Sequence, residues 1–425
     1  MMKNVFGSNV IGVWLKVSLP LHNKHPLQKR IEFVHSSNRN PFMKSMKNIT
    51  GKLLVLTAFL LGFFVQATAK QYLILAHNGE SALASYHVDP KTGKLKKHFM
   101  IELTGSGGPF SVTRDDKLLY VQGHLKKPNS KKNLPHVFTI TLSKGKMKQV
   151  HAAEINDRAP SIHIDNSGKL LLGAHYGPGK VSVWEVDEKG WCTGKLLQEI
   201  ETAPRAHFIT TDPSNRFAYV PHTLPNAIFQ FALDLKAKKL NPLNPPSAKG
   251  PDPDHRYHEP RHYAHHPTLS MGYSSNEKGG GISAWHFDVK TGRLNMAQTL
   301  SALPKGYDGN GAAADIHLTP NGKFAYVSNR DYTAPRNDPN LKRKDSIAAF
   351  RIHPKTGLLT RVGTYPTEHA PRSFCIDRSG HYLYAAGQHV NKLAAYRIDQ
   401  ETGALTRLAT YSTGKVPIWV SCVED

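Results

Sequence analysis

Along residues 70–425, apolar and polar side chains alternate with a period of two, in short runs rich in Tyr, Val, Ile and Phe. Successive side chains of a strand point to opposite faces, so this alternation predicts strands, and no helical period of useful length competes with it. One run recurs behind a turn: DDKLLYVQGH (115–124), NSGKLLLGAHY (166–176), SNRFAYVPHT (214–223), TLSMGYSSNE (268–277), NGKFAYVSNR (321–330) and SGHYLYAAGQ (379–388). A seventh copy, KQYLILAHNGE (70–80), lacks the preceding half. A second run follows several of these: LASYHVDPKTGKL (83–95), ISAWHFDVKTGRL (282–294), IAAFRIHPKTGLL (347–359) and LAAYRIDQETGAL (393–405). Its Lys-Thr-Gly or Glu-Thr-Gly triplet is a tight turn in which glycine supplies a positive φ.

Repeats of roughly 45 to 65 residues with four strands each are the pattern of propeller blades. Seven copies, read as inner strands, predict an all-β, seven-bladed β-propeller of four-stranded antiparallel blades occupying residues 70–425 as one domain. The last run, VPIWVSCVE (416–424), has no partner downstream. It is expected to complete the blade begun by residues 70–95, closing the ring by pairing the N- and C-terminal strands and removing exposed edges. The Pro-rich stretch 240–259 and residues 331–345 (DYTAPRNDPNLKRKD) are too long for hairpin turns and read as long loops on a rigid scaffold.

Upstream the pattern changes. Residues 53–65, LLVLTAFLLGFFV, form an apolar run broken only by Thr57. It is shorter than the roughly 20 residues a membrane-spanning helix needs. Lys44, Lys47 and Lys52 precede it and Ala67-Thr68-Ala69 follows, so residues 43–69 read as a secretory signal peptide cleaved near Ala69, with Met43 or Met46 as its start. Residues 1–42 read as a non-structured or mis-assigned leader. The expected location is periplasmic or secreted, with no membrane span after cleavage.

Charge narrows the partners. The chain carries a net +23. Nine Lys/Arg and one acidic residue lie in the first 69 residues, against 46 and 31 in the rest, so the basic excess persists in the folded region. That favours small anionic ligands. Three cysteines, Cys192, Cys375 and Cys422, exclude a disulfide scaffold. Cys375 and Cys422 fall on strands of neighbouring blades and read as two buried thiols, with a disulfide between them as the alternative. His255, His258, His262, His265 and His266 crowd one stretch but match no firm metal-ligand template, and the basic runs 126–132 and 342–344 read as solvated loops. There is no glycine-rich phosphate loop, haem-attachment motif or serine nucleophile elbow.

Candidate chemistry gathers at strand ends. Pro260-Arg261-His262 begins one strand and Asn276-Glu277 ends the next. Asp315-Ile316-His317 is followed by Ser328-Asn329-Arg330, and Pro371-Arg372 and Pro204-Arg205-Ala206-His207 begin two more. Brought to one rim by a propeller, these would make a basic pocket with one acid and one base.

The ordered set EPRHYAHHPTLSMGYSSNE (259–277), AADIHLTPNGKFAYVSNR (313–330), PRSFCIDRSGHYLYAAGQ (371–388) and GKVPIWV (414–420), with the repeated TG-L turns, resembles the lactonase-type seven-bladed propellers. These include propeller 6-phosphogluconolactonases and the fungal 3-carboxy-cis,cis-muconate lactonizing enzyme. The resemblance implies a lactone hydrolase with His207, Arg261, Glu277 and Arg330 as catalytic groups. His262, Asn276, Asp315, His317, Asn329 and Arg372 are the expected substrate-binding residues. The chain departs from the family where Arg205 replaces the first histidine of a Pro-His-Ala-His pattern, and where His222 and Asn226 occupy commonly acidic positions. The expected partner is a small anionic lactone met by a monomer, not nucleic acid. No cofactor is required and no metal ligands are assigned, with room left for a divalent cation in the channel. The same groups would serve a muconate-type lactonizing reaction, and a non-catalytic envelope-binding propeller is the rival from another class.

Overall fold

The structure is a computed structural model describing residues 69–126, 133–252, 254, 256–333 and 342–425. The leader and signal-peptide assignments fall outside these residues apart from Ala69, as do His255 and most of the basic run 126–132. Among the described residues, no helix is long and apolar enough to cross a membrane.

The strands form seven four-stranded antiparallel blades. Blade I joins Pro417–Glu424 to Gln71–His77, Ala82–Val88 and Leu95–Glu102. Blades II to VII follow in chain order, over 106–154, 161–201, 210–249, 258–301, 311–366 and 371–412. The ring closes where Leu73 pairs with Cys422 and Ile74 with Ser421. A single backbone pairing, Lys278 opposite Ala312, also links blades V and VI into one sheet.

Two expectations need correction. The repeated strand is the second from the axis, not the innermost. Ser106–Val112, Ser161–Ile164, Thr210–Thr211, His258–His265, Gly311–Leu318, Pro371–Ile376 and Pro417–Glu424 stand first in their blades, and residues from all seven line the axial channel. The second strands are buried on both faces and so keep a uniform apolar composition. The innermost strands meet the channel and the mouth, and their sequences diverge. The Pro-rich stretch is likewise not all loop, because Lys239–Lys249 forms the outer strand of blade IV. Proline removes a ladder donor, which an outermost strand tolerates because its free side faces no further strand.

Blades are held to one another through the Thr-Gly turns. Tyr219 Oη donates to the Gly292 carbonyl at 2.7 Å, Tyr273 to Gly357 at 2.8 Å, Tyr326 to Gly403 at 2.9 Å and Tyr384 to Gly93 at 2.9 Å. Each tyrosine sits on the second strand of one blade and each glycine in the outer hairpin of the next. The Gly403 backbone has φ +77°, and a Cβ there would stand 2.4 Å from the Phe324 ring. Gly403→Ala is therefore expected to cost about 3 kcal/mol, from the left-handed backbone together with overpacking. Urea unfolding checks this, and an unchanged midpoint would show that the turn is not a blade contact.

Candidate active site

The mouth residues owe their placement to bulges. Pro260 pairs with Asn276 and His262 with Ser275, so Arg261 is left unpaired between them. Pro371 pairs with Gly387 and Ser373 with Ala386, which leaves Arg372 unpaired in the same way. In blade VI, Ala314 and Asp315 fall between the pairs Ala313–Asn329 and Ile316–Val327. A bulge bends its strand and re-aims the extra side chain. Glu259 and Ala370, directly before the two Pro-Arg pairs, adopt φ 66° and 56°, an uncommon conformation for residues other than glycine.

A cavity of about 480 Å³ opens at this end of the ring, lined by Asp157, Arg158, Pro160, Tyr176, Gly177, Pro178, His207, Glu277 and Arg372. Glu277 and Arg330 follow Asn276 and Asn329 in the same repeat slot of adjacent blades, which sets opposite charges side by side. Arg330 Nη2 lies 2.7 Å from Glu277 Oε1. Its other donors reach Tyr332 Oη at 2.8 Å and the Ala312 and Ala313 carbonyls at 3.4 and 3.0 Å. Arg261 Nε stands 3.6 Å from the same carboxylate oxygen, buried and with no hydrogen bond of its own. Arg261 Nη1 donates to the Ala314 carbonyl at 2.7 Å and to His262 Nε2 at 3.0 Å.

These contacts set the ionisation states. Burial raises the Glu277 pKa, but Arg261 and Arg330 outweigh it and hold the carboxylate below its ordinary value. Burial, reinforced by Arg261, His262, Arg372 and Arg330, drives the His207 pKa well below 6.5, so its imidazole is neutral. Burial and the like charge of Arg330 and Arg372 lower the Arg261 pKa. Burial and Arg330 lower that of Arg372. The guanidinium of Arg372 has no hydrogen bond or ion pair among the described residues; it lines the cavity, and Glu277 acts on it only at longer range.

The structure thus brings His207, Glu277 and Arg372 to one wall, with Arg261 and Arg330 directly behind Glu277. The other expected substrate-binding residues lie elsewhere. Asn276 is fully buried and bonds the Tyr257 carbonyl and Ser283 Oγ, while buried Asn329 bonds the Ala302 carbonyl. Both side chains hold crossovers between blades and neither lines the cavity. His262 and Asp315 are paired in the interior at 2.8 Å. Asp315 and His317 both line a second cavity of about 530 Å³ within the axial channel.

Arg158 and Tyr176 were not singled out from the sequence. The available signal was the short Arg-Ala-Pro of 158–160, which stands just before its innermost strand, near where Pro260-Arg261 and Pro371-Arg372 open theirs. The histidine-rich stretch does not converge: His266 bonds the Gly322 carbonyl at 3.0 Å while His265 packs against Tyr219, Tyr263 and Phe287. Among the described residues no group of three His, Cys, Asp or Glu side chains is placed to hold a metal ion. Cys375 and Cys422 are buried free thiols with Sγ atoms 3.1 Å apart.

Residues 76–422 match the family model described as lactonase, 7-bladed beta-propeller. The chain belongs to this lactonase family. A 6-phosphogluconolactonase of Pectobacterium carotovorum is 31% identical over 281 residues, covering 65% of this chain and 78% of that protein. One from Pectobacterium atrosepticum is 29% identical over 334 residues, covering 77% and 92%. Among solved structures, the periplasmic gluconolactonase of Pseudomonas aeruginosa superposes with a TM-score of 0.70 at 19% identity, over 84% of this chain and 99% of that one. A putative 6-phosphogluconolactonase from Bacteroides fragilis gives 0.70 at 21% over 84% and 98%, so the lactonase-family fold extends to both.

Proposed function

We propose that the protein hydrolyses a sugar-acid lactone that carries an anionic group remote from the ester, such as a 6-phosphate. The observation that carries this reading is the unpaired Arg372 guanidinium on the same wall as an ionised Glu277 and a neutral His207. Three guanidiniums face one carboxylate here, and a buried net charge is costly unless a ligand neutralises it. Arginine presents a planar fork suited to phosphate or carboxylate. The 6-phosphogluconolactonase names of the relatives support the same class. The signal-like segment 43–69 supports export of the mature chain.

In this mechanism the anionic tail pairs with Arg372. Water bound between Glu277 and His207 attacks the lactone carbonyl, and Glu277 takes its proton as the carbon–oxygen bond forms. Negative charge gathers on the carbonyl oxygen, where the positive charge of Arg261 and Arg330, one layer behind Glu277, opposes it. Collapse breaks the ring C–O bond, and Glu277 returns the proton to the leaving oxygen. No oxidation state changes, so the proposed reaction runs without a redox cofactor.

Arg372→Met is expected to raise KM for a phosphorylated lactone by about 10- to 100-fold, the worth of a charged hydrogen bond. KM for neutral glucono-1,5-lactone should change little, and thermal stability should hold because the variant removes an unpaired buried charge. Steady-state kinetics on both lactones test this. Equal losses on the two would show that Arg372 does not read the anionic group.

A further inference from the structure

Behind the cavity wall runs a chain of buried polar contacts that no catalytic role absorbs. Asp315 Oδ1 lies 2.8 Å from His262 Nδ1, and His262 Nε2 lies 3.0 Å from Arg261 Nη1. All three residues are nearly solvent-free, at 4%, 2% and 1% exposure. Arginine can only donate, so His262 Nε2 must present its lone pair to it. The one ring proton of a neutral imidazole then sits on Nδ1 and is donated to Asp315. The polarity of the chain is fixed at both ends.

The surroundings hold it there. Asp315 Oδ1 also accepts from the Ile316 amide at 2.9 Å, and Oδ2 accepts from the Phe374 amide at 3.1 Å and meets His317 Nε2 at 3.3 Å. Burial opposes the Asp315 charge, but His317 and His262 outweigh it and keep the group ionised. Burial, with Arg261 adding to it, lowers the His262 pKa to about 4 and keeps the ring neutral. Phe208 stacks on the His262 ring at 4.5 Å, which fixes the ring plane. Arg261 is thereby tied along its Nη1 corner to His262 and to the Ala314 carbonyl, with Nε towards Glu277.

We propose that Asp315 and His262 are positioning residues for the lactonase reaction: Asp315 fixes the tautomer of His262, and His262 fixes the Arg261 guanidinium against the Glu277 carboxylate. Neither touches substrate. The sequence reading placed both among substrate contacts, but burial and bonding give them this different role. The kinetic half of the inference rests on the lactonase reading, whereas the tautomer does not.

The test pairs three variants with a spectroscopic readout. His262→Gln can still offer a carbonyl oxygen to Arg261 and an amide N–H to Asp315, so it should keep most of the rate. His262→Leu fills the space without either bond, and kcat should fall by about 10²-fold with KM little changed, the cost of a catalytic group out of register. Asp315→Asn keeps the volume but offers one acceptor oxygen for two, and a similar kcat loss is expected. Nitrogen-15 NMR of the histidine rings at pH 7 should show His262 as the pure Nδ1–H tautomer in the unsubstituted protein and a mixture in Asp315→Asn. An Nε2–H tautomer in the unsubstituted protein, or equal rates for His262→Leu and His262→Gln, would overturn the proposal. Failure of the unsubstituted protein to open any lactone would instead count against the proposed function, leaving the tautomer measurement to decide this one.

Discussion

Glu277→Gln should lose lactone opening by about 10³-fold, the scale on which a positioned acid–base group acts. The carboxylate is the anion on which Arg261, Arg330 and Arg372 all act, lines the cavity and meets Arg330 at 2.7 Å. An amide of the same shape can neither take a proton from water nor answer the two arginines behind it. The variant should therefore also lose about 2 kcal/mol of folding stability. That lies below the usual cost of breaking a buried pair, because a quarter of the Glu277 side chain stays in contact with solvent. Initial rates corrected for spontaneous hydrolysis, together with urea unfolding, report the two effects separately. A variant with an unaltered rate and lowered stability would make Glu277 a counter-ion only.

The second large effect concerns pH. His207, His222 and His262 are 6%, 0% and 2% exposed and are all neutral in the folded protein. Burial lowers the His222 pKa to about 4, against a bond to the Val220 carbonyl that raises it. A folded pKa below the unfolded value means that the unfolded chain binds protons first as pH falls. Stability is thus full above about 6.5, the unfolded histidine value, and drains away between there and about 4. Each buried imidazole contributes about 1.4 kcal/mol per pH unit in that window, and three give about 4. Across two units that slope removes about 8 kcal/mol, a large share of the roughly 5–15 kcal/mol a domain has in hand. Acid unfolding followed by circular dichroism should have its midpoint between pH 4 and 6.5. Stability unchanged from pH 7 to 4.5 would mean that these rings are protonated without cost.

Much of the fold is legible in the sequence because one physical signal repeats seven times. Period-two alternation gives the strands, the Thr-Gly turns give the hairpins, and the unpartnered 416–424 run gives the closure. What is lost is radial position. Strands buried on both faces, such as Phe324–Asp331, carry the uniform pattern that the eye finds, while the innermost strands are short, bulged and individually adapted. The site is legible by residue type and less so by role. Arg261 and Arg372 sit on bulges, and no composition rule separates a bulged arginine from a paired one. Asn276 and Glu277 are neighbours in sequence, yet one faces the interior and the other the cavity, since strand side chains alternate. His262 and Asp315 read as ligand contacts because they are polar and stand at strand ends, and only the structure shows that they satisfy each other.

The central claim is that this basic mouth is a catalytic site for anionic lactones. The most direct measurement is acid release in a pH-stat, with purified protein added to 6-phosphoglucono-1,5-lactone or to glucono-1,5-lactone. Ring opening well above the spontaneous rate, with kcat/KM favouring the phosphorylated lactone, is the predicted result; no acceleration of either would mean that the mouth binds anions without turning them over.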